Sequence, residues 1–165
     1  TKASFVIDCK TRLILSARAS VDKPHDLKFM DGHLADLKGK VNPEKFLADK
    51  GYDSETLHDK IKAMLGCVAY IPVRISRNNR EFTTHGLRRR EIEKLQKNRE
   101  QWIEFYGDRS VIESTNKMIK HTTGSWIAEK DSCTREIKVL LKGLAHNFDD
   151  LMRLCLIYRF ERGFQ

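Results

Sequence analysis

The chain has 165 residues, 40% of them hydrophobic, and Lys plus Arg outnumber Asp plus Glu by 31 to 23 for a formal net charge of +8. That length suits one compact domain, and that apolar content excludes wholesale disorder. No apolar run approaches the roughly 20 residues of a membrane span, so no membrane partner is expected, while the cation excess favours a polyanion.

Two β-prone runs, Phe5-Val6-Ile7 and Leu13-Ile14-Leu15, flank the polar cluster from Asp8 to Arg12 and predict a hairpin over the opening residues. Pro24 breaks that pattern. Leu27, Met30, Leu34 and Leu37 then recur at threes and fours, predicting an amphipathic helix over 26–38 that stops at Gly39. The short apolar segment Phe46-Leu47-Ala48 ends at Asp49, and Lys50-Gly51-Tyr52 turns the chain. Asp53 or Ser54 caps the next helix, which carries Leu57, Ile61, Met64 and Leu65 on its apolar face. Gly66 ends it, and residues 67–73 read as a strand. Strand, helix and strand within about 30 residues predict a βαβ unit with parallel strands. Functional groups on such sheets sit at the carboxyl ends of the strands, which is where Asp49 falls.

Residues 74–101 hold nine Lys/Arg against four acids, a net of +5. Their first part, with Asn78-Asn79 and Thr83-Thr84, reads as a loop; the second part, around Arg88-Arg89-Arg90, reads as a helix. In the last third, Ile137, Leu140, Leu141, Leu144, Phe148, Leu151, Met152 and Cys155 repeat at helical spacing, predicting a helix over 134–160 whose apolar stripe is core. Cys9, Cys67, Cys133 and Cys155 lie too far apart for a zinc motif and read as mostly buried free thiols. The six histidines show no metal-ligand spacing. The expected organisation is a single domain over 1–165, with a hairpin and βαβ part (1–73), a basic loop and helix (74–105) and a helical part (106–165).

The segment from Tyr106 to Lys120 reads as a helix capped near Asp108. On its helical wheel Val111, Ile112, Thr115, Met118 and Ile119 share one side, and Arg109, Glu113 and Lys120 share the other. Spacing alone equally describes a solvated face with local ion pairs.

Tyr106, Arg109, Glu113 and Lys120 also spell Y-x2-R-x3-E-x6-K, which resembles the motif around the third acidic residue of cut-and-paste insertion-sequence transposases of the DDE class. Leu47-Ala48-Asp49-Lys50-Gly51-Tyr52-Asp53 is similar to the family's A-D-x-G-Y segment, which holds the second catalytic aspartate. The hairpin from Val6 to Leu15, His25-Asp26, Tyr70-Ile71-Pro72, Thr123-Gly124-Ser125 and Leu144-Ala145-His146-Asn147 follow the family's order as well.

The resemblance implies an α/β fold, a ribonuclease-H-like mixed sheet flanked by helices with a helical C-terminal part. It implies Asp49 and Glu113 as catalytic carboxylates and ligands of Mg²⁺ or Mn²⁺. Phosphodiester chemistry of this type uses carboxylates from separate elements around two ions. Tyr106, Arg109 and Lys120, together with Arg88, Arg89 and Arg90 of the basic segment, are the expected DNA contacts. The implied activity is cleavage at transposon ends and strand transfer into target DNA by a homodimer, in a cytoplasmic, nucleoid-associated protein. The family's first catalytic aspartate lies on a strand before the opening hairpin. Asp8 falls on the following strand, a position that is not catalytic in the family. The expectation is therefore a C-terminal portion of the catalytic domain, without the first strand and inactive alone. Two rivals are a non-catalytic DNA-binding remnant of a transposase and a different ribonuclease-H-like nuclease; the Tyr-Arg-Glu-Lys spacing disfavours the latter.

Overall fold

β-Branched and apolar residues on both sides of a polar turn produce the expected hairpin, β1 (Lys2–Ile7) paired antiparallel with β2 (Ile14–Ser20). The computed structural model describes residues 1–73, 86–125 and 127–161. It divides into two compact units, Thr1–His25 with Ser110–Gln165, and Asp26–Arg109. We call them the terminal and the central unit.

In the terminal unit, Asp8 organises the hairpin turn. Its carboxylate accepts hydrogen bonds from the Thr11 amide and hydroxyl, and Arg12 closes the turn at φ 64°. Partial burial acts to raise the Asp8 pKa, but the Thr11 and Lys10 hydrogen bonds hold it below the usual carboxylate range. The side chain works as an Asx-type turn residue.

Helices α5 (Ser110–Thr123) and α6 (Ser132–Glu161) complete this unit. α6 spans the expected 134–160, but its buried face is not the expected stripe. Val139, Gly143, His146 and Asp150 are buried, whereas the apolar stripe ranges from 37% exposed at Leu140 to 63% at Met152. The reason lies in the contacts with the hairpin. A Cβ on Gly143 would stand 3.2 Å from Phe5 and Ile14 side-chain atoms, so glycine admits the close approach. His146 Nε2 lies 3.2 Å from the Arg12 carbonyl oxygen and 3.2 Å from Asp150 Oδ2. Asn147 bonds the Ile14 main chain on both sides, accepting from its N–H at 2.7 Å and donating to its C=O at 2.9 Å. These polar anchors orient α6, and the leucine stripe faces outward. Cys133 and Cys155 are exposed with it, so the expectation of mostly buried thiols holds only for Cys67, with Cys9 half-buried.

The central unit begins with α1 (Leu27–Leu37), whose Phe29, Met30, Leu34 and Leu37 are buried. β3 (Lys45–Leu47) pairs in parallel with β4 (Val68–Tyr70), and α2 (Glu55–Leu65) connects them as the predicted βαβ unit. Gly66, at φ 73°, supplies the left-handed residue that ends α2. Leu34, Ile61 and Ile71 are at most 1% exposed; full burial of such a side chain stabilises by about 1.5–3 kcal/mol. α3 (Gly86–Lys97) and α4 (Arg99–Gly107) follow. The loop expected over the first part of the basic segment, with Arg74, Arg77 and Arg80, lies outside the described residues. Among the described residues no helix is long and apolar enough to cross a membrane.

Candidate active site

Asp49 stands two residues beyond β3, at the carboxyl end of the strand. Its Oδ1 accepts the Lys50 amide at 3.0 Å and caps a short 3-10 turn, Lys50–Tyr52. Its Oδ2 accepts from Arg109 Nη2 at 3.1 Å, with 59% of the Asp49 side chain and 25% of the Arg109 side chain exposed. The two residues are 60 apart in sequence. Tyr106 completes this corner of the central unit. Its ring stacks on Trp102 at 4.8 Å between centroids, and its hydroxyl donates to the carbonyl of Ala48 at 3.4 Å, directly before Asp49. The Arg109 guanidinium carbon lies 6.0 Å from the Tyr106 ring centre, within reach of a cation–π attraction. Tyr106 thus braces the strand end that presents Asp49.

The helix expected from Tyr106 to Lys120 is interrupted. Tyr106 lies in the last turn of α4, Asp108 is that helix's C-cap rather than the N-cap of the next, and α5 starts at Ser110. Lys45 meets the end of α4. Its ammonium donates to the Phe105 carbonyl at 3.0 Å and to Asp108 Oδ2 at 2.7 Å. A cation there satisfies an orphan carbonyl and complements the C-terminus of α4. Arg109 lies in the two-residue turn between α4 and α5, directly before Ser110.

Glu113 and Lys120 lie on α5, in the terminal unit. Thr115 and Ile119 are buried and both charged residues are exposed, as the wheel predicts. Seven residues apart, Glu113 and Lys120 share one helix face two turns from each other.

The three consecutive arginines of α3 have different surroundings. Arg88 forms a fork with Asp53, Nε to Oδ1 at 2.7 Å and Nη2 to Oδ2 at 2.6 Å, with side chains only 13% and 0% exposed. Arg89 pairs with Glu93 at 3.1 Å on the exposed surface, and Arg90 is exposed. Arg88 thus holds an internal carboxylate, and the outward-facing members of the triplet are Arg89 and Arg90.

Lys45 and Trp102 matter to this site and were not anticipated, and Asp53, expected as a possible cap of α2, instead holds Arg88 while Ser54 takes the cap position. Trp102 and Tyr106 are four residues apart on a helix, a spacing that brings rings together. For Lys45 the sequence carries no local signal, because its partners are in residues 105–108.

His58 is buried in the same layer as Asp53 and Arg88. Burial foremost, with Arg88 adding, pushes its pKa below the ordinary value, against opposing attraction from Asp53 and Asp59. A base with a lowered folded-state pKa binds fewer protons folded than unfolded, so stability falls as pH falls below about 6.5. Thermal melts at pH 7.5 and 5.5 are expected to show a smaller acid-induced drop in His58→Gln than in the wild type. An equal drop would show that His58 is not the responsible group.

The chemistry of the donors suits a hard dication. Among the described residues no group of three or more His, Cys, Asp or Glu side chains is placed to hold an ion. Mg²⁺, however, is commonly held by one or two carboxylates with waters and substrate phosphates. The exposed Asp49 carboxylate, beside a guanidinium that matches a phosphate, has the chemistry such a donor requires. Searches of curated proteins and of solved structures returned no match. The ion pair between the A-D-x-G-Y turn and the arginine of the Tyr-Arg-Glu-Lys motif occurs in a chain whose residues 1–158 match the family model described as the transposase DDE domain, and the chain belongs to that family.

Proposed function

We propose that this transposase domain takes part in metal-dependent DNA strand cleavage and transfer, with Asp49 and Glu113 as two of the metal-binding carboxylates that the reaction needs. The observation that carries this reading is the contact between Asp49 and Arg109, since it joins two motifs that resemble catalytic segments and are distant in sequence. Bound Mg²⁺ or Mn²⁺ supplies activation of the attacking water or 3′-hydroxyl and stabilisation of the leaving oxygen. The chain's own residues orient the DNA. Arg109 and Lys120 hold phosphates; Tyr106 keeps the Asp49 strand end in place; Arg89 and Arg90 add phosphate contacts from α3. The ribonuclease-H-like architecture belongs to the proposal, supported by an antiparallel hairpin and a parallel βαβ unit whose first strand leads into Asp49. So do the homodimer bridging two transposon ends and its action at the nucleoid.

Manganese binding tests the reading without requiring turnover. A calorimetric Mn²⁺ titration of the protein on a short DNA duplex is expected to saturate, and Asp49→Asn or Glu113→Gln to weaken it by more than about tenfold, since even outer-shell partners of metal ligands cost 10–100-fold. DNA binding with no saturable Mn²⁺ site, or Mn²⁺ affinity unchanged in both variants, would leave the non-catalytic remnant as the correct reading.

A further inference from the structure

The Asp53–Arg88 pair is unusual for this chain. The ion pairs Lys45–Asp108, Lys60–Asp31, Arg89–Glu93 and Asp49–Arg109 are partly exposed, whereas here the carboxylate is fully buried and both of its oxygens are matched by one guanidinium. A bidentate Arg–carboxylate pair fixes orientation as well as distance. Its location gives that orientation a purpose. Asp53 caps the C-terminal end of the 3-10 turn whose N-terminal end is capped by Asp49. Arg88 sits in the first turn of α3, whose exposed surface carries Arg89, Arg90, Lys94 and Lys97. The same end of α3 is held from α2 by charge. A Cβ on Gly86 would lie 3.8 Å from Glu55 Oε1 and 4.0 Å from Asp59 Oδ1, so two carboxylates approach the positive end of the helix. One short turn therefore carries the proposed catalytic carboxylate at one end and the anchor of the basic helix at the other.

We infer that Asp53 and Arg88 are positioning residues, whose buried fork sets the basic face of α3 in register with the Asp49 carboxylate and so pre-organises the chain for a DNA backbone. This rests on the reading of α3 as a phosphate-binding surface. It assigns Arg88 no direct contact with DNA, in contrast to its two neighbours.

The inference reverses the sign that simple electrostatics gives. Asp53→Asn raises the formal charge from +8 to +9, which by itself tightens binding to a polyanion. If Arg88 instead bound phosphate, freeing it from Asp53 would tighten binding further. With a positioning fork, Asp53→Asn loosens α3 and weakens binding by about five- to tenfold, because ordering the helix is then charged to the binding step. The salt dependence also becomes shallower as phosphate contacts are lost. Arg88→Lys keeps the charge but cannot form the fork, so it behaves like Arg88→Gln. The double variant Asp53→Asn/Arg88→Gln is no weaker than either single one.

The experiment is fluorescence anisotropy with a labelled duplex of about 20 base pairs over a salt series without divalent ions. Affinities are compared at temperatures where circular dichroism shows each variant folded. Tighter binding by Asp53→Asn, or wild-type binding by Arg88→Lys, overturns the inference; should Asp53→Asn not fold, Arg88→Lys carries the decision. A fourth arm replaces Arg89, Arg90, Lys94 and Lys97 by Gln. If that variant binds DNA as the wild type does, the phosphate-surface reading itself fails. If it loses binding while Asp53→Asn gains it, only the positioning role fails.

Discussion

Asp49→Asn is expected to slow metal-dependent DNA strand cleavage by the full-length protein by about 10³-fold or more, with DNA affinity unchanged or slightly higher. The magnitude follows from the several kcal/mol of transition-state stabilisation that a metal's Lewis acidity provides, at 1.36 kcal/mol per tenfold in rate. The opposite movement of affinity follows from charge. Asn removes an anion that sits 3.1 Å from the Arg109 guanidinium and leaves that cation to a phosphate. Asn is also the informative replacement for structural reasons. Asp49 caps the Lys50–Tyr52 turn through its side-chain oxygen, and Asn caps as well as Asp does. The turn therefore survives, and lost cleavage reports on the carboxylate. Glu113→Gln is expected to have the same kinetic effect from the exposed face of α5. Undiminished cleavage in either variant would remove that residue from the catalytic set. A parallel loss of binding and cleavage would assign it to DNA contact instead.

The elements of the βαβ unit were readable because each has a local cause. Leucine and isoleucine at helical spacing mark α1 and α2, Gly66 supplies a left-handed stop, and an apolar run ending in Asp49 marks β3. The break at 108–109 was not readable from periodicity, and neither was the contact of Lys45 with Asp108, which spans 63 residues. Periodicity carried the helix straight through, and it held no signal for the contact of Arg109 with Asp49, 60 residues away. Arg88, Arg89 and Arg90 show the same limit. Identical neighbours in sequence differ in surroundings, because one meets a buried carboxylate and two lie on the exposed surface. In α6, periodicity located the helix and chose the wrong face. Hydrophobicity ranks faces by transfer free energy, but a helix docks where shape and hydrogen bonds are complementary as well. Gly143, His146 and Asn147 form that complementary face, and none of them adds to an apolar stripe.

That reversal of faces makes α6 the place where a stability measurement is most discriminating. Asn147 serves both main-chain groups of Ile14, a residue only 9% exposed. Asn147→Leu removes one acceptor and one donor and leaves an N–H and a C=O without their partner. At about 1–3 kcal/mol for each unsatisfied buried group, the expected loss is ~2–4 kcal/mol. That is a large part of the 5–15 kcal/mol typical of a domain, and it corresponds to a melting temperature lower by roughly 5–15 °C. Asn147→Asp keeps the acceptor for the Ile14 amide but sets a second carboxylate oxygen against the Ile14 carbonyl oxygen, so it also destabilises. Leu141→Ser, on the stripe at 55% exposure, is expected to change stability by no more than about 0.5 kcal/mol, as surface substitutions do. Hydrogen exchange locates the effect. The Ile14 amide is expected to lose protection in Asn147→Leu and to keep it in Leu141→Ser. If Leu141→Ser were the more damaging of the two, α6 would be held by its leucine stripe, and the polar clamp on the hairpin would not be what orients it.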